Sequence, residues 1–173
     1  MNYLGLLFFL IIFFTGCSPK FPISYSPSST MIINGEMKIE NFEYLPPQKF
    51  KIKENQIRNT ALGSYLFEKD INQYFRDALF NESRLVGINI NSNKNILTGQ
   101  INDFFIDDLG YSIDWIVDVK YDLKKNGDLC FSKVKIINKN TNKFLNFFVY
   151  LNEMIKFNVE ELFKDEDFKN CIK

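Results

Sequence analysis

Residues 111–123, YSIDWIVDVKYDL, decide the fold. Tyr111, Ile113, Trp115, Val117, Val119, Tyr121 and Leu123 alternate with Ser112, Asp114, Ile116, Asp118, Lys120 and Asp122. Side chains of a strand point alternately to its two faces, so one face packs on a core and the other meets water. Lys124-Lys125-Asn126-Gly127-Asp128 follows, and Asn-Gly suits the positive φ of a tight hairpin turn. Leu129 to Ile137 is then expected to return as an antiparallel strand. Asn138 to Asn142 turns again. Lys143 to Tyr150 (KFLNFFVY) reads as a third strand of a meander, with a helix beginning near Phe144 as the competing reading.

Upstream of this run, Ile96 to Phe105 (ILTGQINDFF) reads as a strand with Gly99 as a bulge position, and Arg84 to Asn89 (RLVGIN) as a short strand. Between Asn59 and Ser83 lies the clearest helix. Phe67, Ile71, Tyr74, Phe75, Ala78 and Leu79 fall at three- and four-residue spacing, the period of an apolar stripe packed on a core. Met31 to Tyr44 carries a strand signal, with Asn34-Gly35 as a candidate tight turn, so that it reads either as a short hairpin or as a strand with a lead-in. Leu45-Pro46-Pro47 ends it, because proline cannot donate to a ladder, and Gln48 to Arg58 is expected to be a surface loop. At the other end, Asn152 to Lys164 reads as a helix capped by Asn152, with Ile155, Val159, Leu162 and Phe163 inward. A final turn over 165–172 would carry Cys171 towards Cys130. The expected architecture is α+β: a mostly antiparallel sheet with a long amphipathic helix and a C-terminal helix packed on one face.

Composition narrows the function. The chain has 173 residues, 21 Lys and Arg against 21 Asp and Glu, and no histidine. Zero formal charge argues against a nucleic-acid partner. Lack of histidine removes the commonest general base and metal ligand, and excludes a Ser-His-Asp or Cys-His site within the chain. No P-loop, dinucleotide fingerprint or paired-cysteine metal motif is present, so no enzyme, metal or cofactor is expected. Asp114, Asp118 and Asp122 share a strand face but are spaced at about 13 Å, too far to share one ion. A calcium site at Asp107 and Asp108 is the weaker alternative to a solvated strand face partnered by Lys120.

The N-terminus gives an address. Leu4 to Phe14 (LGLLFFLIIFF) is almost wholly apolar. As a helix it spans roughly 17 Å, short of the ~30 Å bilayer core, which suits a signal peptide better than a membrane span. Phe14-Thr15-Gly16-Cys17 resembles the bacterial lipoprotein signal, departing from it at Phe14 and in having no Lys or Arg before the apolar run. The resemblance implies cleavage before Cys17, diacylglycerol on its sulfur and an acyl chain on its new amine. Several acyl chains give stable anchoring where one is marginal. Ser18, in place of Asp, implies the outer membrane by the same analogy, with the domain facing the periplasm. The organisation read from the sequence is a signal peptide at 1–16, a lipidated Ser/Pro-rich tether at 17–30, and one domain at 31–173.

Cys130 and Cys171 remain after the anchor. In an oxidising compartment they can form a disulfide; two separate buried thiols are the alternative.

The order of elements, with the anchor, also resembles small envelope lipoproteins of the transport-auxiliary type. The residues concerned are Ala78-Leu79, Glu82 through Gly87, and Leu97-Thr98-Gly99-Gln100-Ile101. That resemblance implies a non-catalytic accessory that binds an envelope protein or passes lipid, and it assigns no functional residue. Two readings follow. A protein-binding accessory requires an exposed apolar patch or an open sheet edge. A carrier of a lipid or small apolar ligand requires an enclosed pocket between helix and sheet.

Overall fold

The computed structural model describes residues 20–143 and 146–173. In chain order the elements are β1 (Lys20–Phe21), β2 (Lys38–Tyr44), α1 (Pro46–Lys49), β3 (Arg58–Asn59), β4 (Leu66–Phe67), α2 (Ile71–Leu85), β5 (Asn95–Asp107), β6 (Ser112–Lys125), β7 (Asp128–Asn142), α3 (Phe147–Lys164) and α4 (Glu166–Ile172). The central hairpin forms as its turn chemistry requires. Asn126 and Gly127 both take positive φ, 53° and 95°, and β6 and β7 pair antiparallel from Ser112↔Asn142 to Lys125↔Asp128.

β5 pairs antiparallel with the other edge of β6. Beyond β5 lie β2 and β3, both parallel to it. The order along the sheet is β2-β5-β6-β7. Parallel pairing of β2 with β5 needs a crossover, and α2 supplies it. α2, α3 and α4 cover one face of the sheet. Trp115, Val117, Val119, Tyr121 and Leu123 of β6 are fully buried beneath Leu151, Ile155 and Val159 of α3. The fold is α+β with helices on one face of a mostly antiparallel sheet. One polar side chain crosses this core: Asn158 accepts from the Tyr121 hydroxyl at 2.7 Å and donates to the carbonyls of Val117 and Lys135 at 3.1 and 2.8 Å. Its amide is thereby satisfied, and α3 is fixed in register on β6 and β7.

Several expectations need correction. The helix expected within 59–83 starts at Ile71, so Phe67 falls outside its stripe, because Leu66–Phe67 is extended. It runs on to Leu85, so RLVGIN is not a strand. Gly87 (φ 97°) ends the helix in a Schellman motif: its amide reaches Arg84 O at 3.2 Å, and the Ile88 amide reaches Ser83 O at 2.9 Å. Of the two readings of 31–44, the strand with a lead-in holds and Asn34-Gly35 makes no hairpin. Glu36 bridges Asn89 in parallel, and Gly35 lies so close to Ile172 that a Cβ there would sit 2.6 Å from its Cγ1. Part of the loop expected at 48–58 is taken by α1 and β3, and the bulge of β5 falls after Ile101, not at Gly99.

At 143–150 the competing reading holds: the chain turns into α3 at Phe147 instead of adding a third meander strand. Asn146, not Asn152, is the cap; its Oδ1 accepts from the Phe148 amide at 3.1 Å. Asn152 lies inside the helix and bonds the Tyr74 hydroxyl. β7 itself continues to Asn142, five residues past its expected end.

The Ser/Pro-rich stretch packs against the domain from Lys20 onward. β1 pairs in parallel with β4, Ile23 and Ser29 are buried, and the Tyr25 hydroxyl bonds Glu82 at 2.6 Å. Low hydrophobic periodicity suggested a spacer, but backbone pairing and one carboxylate hold this stretch down.

Candidate functional site

Two surfaces of the domain match what a binding protein needs. The first is the edge and open face of β7. β6 pairs with one side of β7 along nearly its whole length, and among the described residues no strand pairs with the other. An unpaired strand edge offers backbone donors and acceptors to another chain, and natural proteins blunt such edges with lysines. Here Lys133 and Lys135 turn to the helix side instead. Lys135 Nζ lies 2.7 Å from Asp165, and Lys133 Nζ lies 3.0 Å from Asp165 and 2.7 Å from Asp167. On the open face Val134 and Ile136 are apolar and 47% and 54% exposed, flanked by the polar Ser132 and Asn138.

The acidic residues weighed for a metal sit on the same open face or at its end. Asp114 accepts from Asn140 at 2.7 Å, Asp118 from Asn102 at 2.9 Å, and Asp122 pairs with Lys120 at 2.9 Å. Asp107 and Asp108 brace the 60–61 loop: the Thr60 hydroxyl lies 2.9 Å from an oxygen of each, and the Ala61 amide donates to Asp108 at 2.8 Å. Among the described residues no cluster of three or more Asp, Glu, Cys or His could hold a metal.

The second surface is an apolar pocket of about 360 Å³ lined by Phe21, Leu62, Tyr65, Ile113, Lys143, Phe147 and Phe148. It opens where β1, the start of β6 and the start of α3 meet. Its rings cluster: between centroids Phe21 lies 4.9 Å from Tyr65 and 6.5 Å from Phe148, and Phe147 lies 5.6 Å from Phe148 and 5.3 Å from the core residue Trp115. This pocket is at the rim of the domain. The interior between helix and sheet, where a carrier would enclose its ligand, is occupied by Trp115, Tyr121, Leu151 and Ile155.

A third hollow, about 560 Å³, lies along β2 and β5 and is polar. Its Glu43 accepts from Gln100 at 2.9 Å and Gln48 at 3.0 Å, and those bonds lower its pKa. Nearby, Arg58 lies between the Phe50 and Phe105 rings, 4.6 and 3.8 Å from their centroids, and bonds Asp103 with two nitrogens. The Arg58–Asp103 pair and the two rings brace β3, and the Asp122 Oδ1 atom lining the hollow is buried without a hydrogen-bond partner.

Of the residues singled out in the sequence, Cys17 lies outside the described residues. The structure brings Cys130 and Cys171 together, with Cα atoms 6.0 Å apart and the sulfurs at bonding distance. The open edge of β7 was not readable from the sequence, because period-two alternation looks the same in a central and an edge strand. The aromatic pocket was equally hidden, since its four rings come from three separate stretches of the chain. Among the described residues no helix is long and apolar enough to cross a membrane.

No family model matches the chain, and no curated protein matches it in sequence. Solved structures do. Protein XCC0632 from Xanthomonas campestris, of the DUF330 family, gives a TM-score of 0.63 at 8% identity, covering 83% of this chain and 92% of that one. The hypothetical protein CT253 from Chlamydia trachomatis gives 0.52 at 7% identity, covering 81% and 99%. The likeness is one of fold. Lipoprotein GNA1162 from Neisseria meningitidis also matches, at 12% identity over 76% and 99% of the two chains, but its TM-score of 0.35 is too slight to build on.

Proposed function

We propose that the chain is a lipid-anchored envelope protein with no catalytic role, which works by binding an envelope protein partner through β7. In this reading residues 1–16 are removed as a signal peptide. Cys17 carries the lipid, and the domain stands on the periplasmic side of the outer membrane. The observation that carries the reading is the unpaired edge of β7, fifteen residues long with Val134 and Ile136 exposed at its middle. Such an edge accepts an added strand: backbone hydrogen bonds supply affinity, and alternate side chains supply selectivity. Neutral charge and the lack of histidine favour surface recognition over chemistry.

The test is a crosslinking pull-down from intact cells, with wild type beside Ile136→Lys and Cys17→Ala. An envelope protein captured by wild type and lost in Ile136→Lys supports the reading. Equal capture by both removes β7 from it. If Cys17→Ala fractionates and is processed as wild type, the anchor is wrong.

The rim pocket favours a second reading, in which the chain carries a lipid or small apolar ligand. That reading requires a bound molecule, visible by native mass spectrometry as added mass that Phe148→Glu removes.

A further inference from the structure

The aromatic pocket lies at the end of the domain where the chain leads back to Cys17. Phe21 lines it, and Lys20 and Phe21 are already fixed by pairing with Leu66 and Phe67. Only Ser18 and Pro19 separate Cys17 from this strand. Four residues from Cys17 to Phe21 reach at most about 14 Å when fully extended. A headgroup layer takes roughly 5–8 Å of that, the difference between a ~40–45 Å bilayer and its ~30 Å core, shared between two faces. What remains, about 6–9 Å, is less than the ~10–12 Å diameter of a single helix. No protein element fits between Phe21 and the lipid headgroups.

A second observation points to the same ligand. The β5–β6 loop abuts the pocket, because Lys143, a pocket residue, donates to the carbonyls of Asp108 and Gly110. That loop presents Leu109 at 73% and Tyr111 at 96% exposure. Phe148 at the pocket mouth is 41% exposed. Isolated exposed apolar side chains are ordinary, but these converge on one end beside two lysines, Lys20 and Lys143. Rings with a polar tip, together with lysines, suit the membrane–water interface, where one end of the side chain is wet and the other is not.

We infer that this end of the domain, with Phe21, Tyr65, Phe148 and the Leu109–Tyr111 loop, lies in the headgroup region of the anchoring membrane, and that a phospholipid surface is what the pocket contacts. The inference rests on the lipoprotein reading and adds an orientation to it. The lipid fixes the domain at one end and the aromatic patch keeps it from pivoting, so β7 is held at a set attitude to the membrane.

The chain contains one tryptophan, Trp115, whose ring is 5.3 Å from that of Phe147 beneath the pocket. It is a built-in reporter. The full-length lipidated protein is reconstituted in phosphatidylethanolamine–phosphatidylglycerol vesicles with bromine near the headgroup end of the acyl chains, or with none. Flotation is scored in the same samples. The expected result is co-flotation with a loss of Trp115 emission in the brominated vesicles, diminished in Tyr111→Ser/Phe148→Ser. Both positions are exposed, and an unchanged melting temperature checks that the variant is folded. Failure to float overturns the anchor. Flotation without quenching, or quenching equal in the variant, overturns the orientation and leaves the anchor standing.

Discussion

The Tyr25 hydroxyl donates to Glu82 at 2.6 Å, joining the N-terminal segment to the buried face of α2. The same carboxylate accepts from the amides of Ser28 and Ser29 at 3.0 and 3.1 Å, and the Glu82 residue is fully buried. Charge-assisted bonds to a buried acceptor are worth more than neutral ones. Glu82→Ala should therefore cost about 2–3 kcal/mol in urea unfolding. It should also open residues 20–30 to limited proteolysis, a readout that uniform destabilisation would not localise there. Burial, followed by the bond to Glu82, raises the Tyr25 pKa well above its ordinary value of 10. This contribution is present below pH ~10 and is lost as pH rises beyond it.

Gly99 has no room for a side chain. A Cβ there would lie 1.9 Å from the ring of Phe42, which faces it across β2 and β5. Phe42 cannot retreat readily, being buried against Phe75 and Tyr121 with centroids 5.7 and 6.0 Å away. Gly99→Ala should cost about 1–3 kcal/mol by overpacking. Phe42→Leu, destabilising alone, should offset part of that cost in the double variant. Strictly additive losses in a double-mutant cycle would contradict the contact.

These two residues also show how much the sequence disclosed. The stripes from Ile71 to Leu79 on α2 and from Ile155 to Phe163 on α3 were legible, because three- and four-residue spacing is a local signal. So were β6 and the Asn126-Gly127 turn. Gly99 reads locally as a bulge position, and nothing local marks Glu82 as a buried acceptor. Their partners, Phe42 and Tyr25, lie more than fifty residues away, and no local period encodes such distances. Parallel pairing of β2 with β5, the free edge of β7 and the assembly of the rim pocket are long-range in the same sense. At 143–150 two local signals competed, and the Asn146 cap decided for helix.

Asp165 links β7 to the last helix. Partial burial would raise its carboxyl, but hydrogen bonds from Lys135 and Lys133 outweigh that and hold it at about 2. A carboxyl depressed in the folded state adds stability above its unfolded pKa near 4, and that stability is lost as pH falls through about 2. Since Lys133 is 43% exposed and screened by water, the contribution is on the order of 1–2 kcal/mol. Asp165→Asn keeps the acceptor that caps the Asp167 amide at 3.0 Å and removes only the charge. Its stability deficit should be present at pH 7 and shrink between pH 4 and 2, measured by urea midpoints.

Cys130 and Cys171, 41 residues apart, are proposed to be bridged in the exported protein. Closing a loop of this length stabilises by roughly 3–4 kcal/mol in the chain-entropy account. Cys130→Ser/Cys171→Ser should lower the melting temperature, and a reductant should destabilise wild type but not the double variant. Labelling of both thiols in unreduced protein would show that no bridge forms.

β7 is proposed to be where another protein chain docks. The direct measurement is a photocrosslinking amino acid placed singly at Leu129, Val134, Ile136 and Asn138 of β7, with Glu153 and Lys156 of α3 as controls, in intact cells expressing the full chain. One discrete adduct is expected from the β7 positions, strongest at Val134 and Ile136, that the α3 positions do not give. Adducts of equal strength from α3, or none from any β7 position, would contradict it.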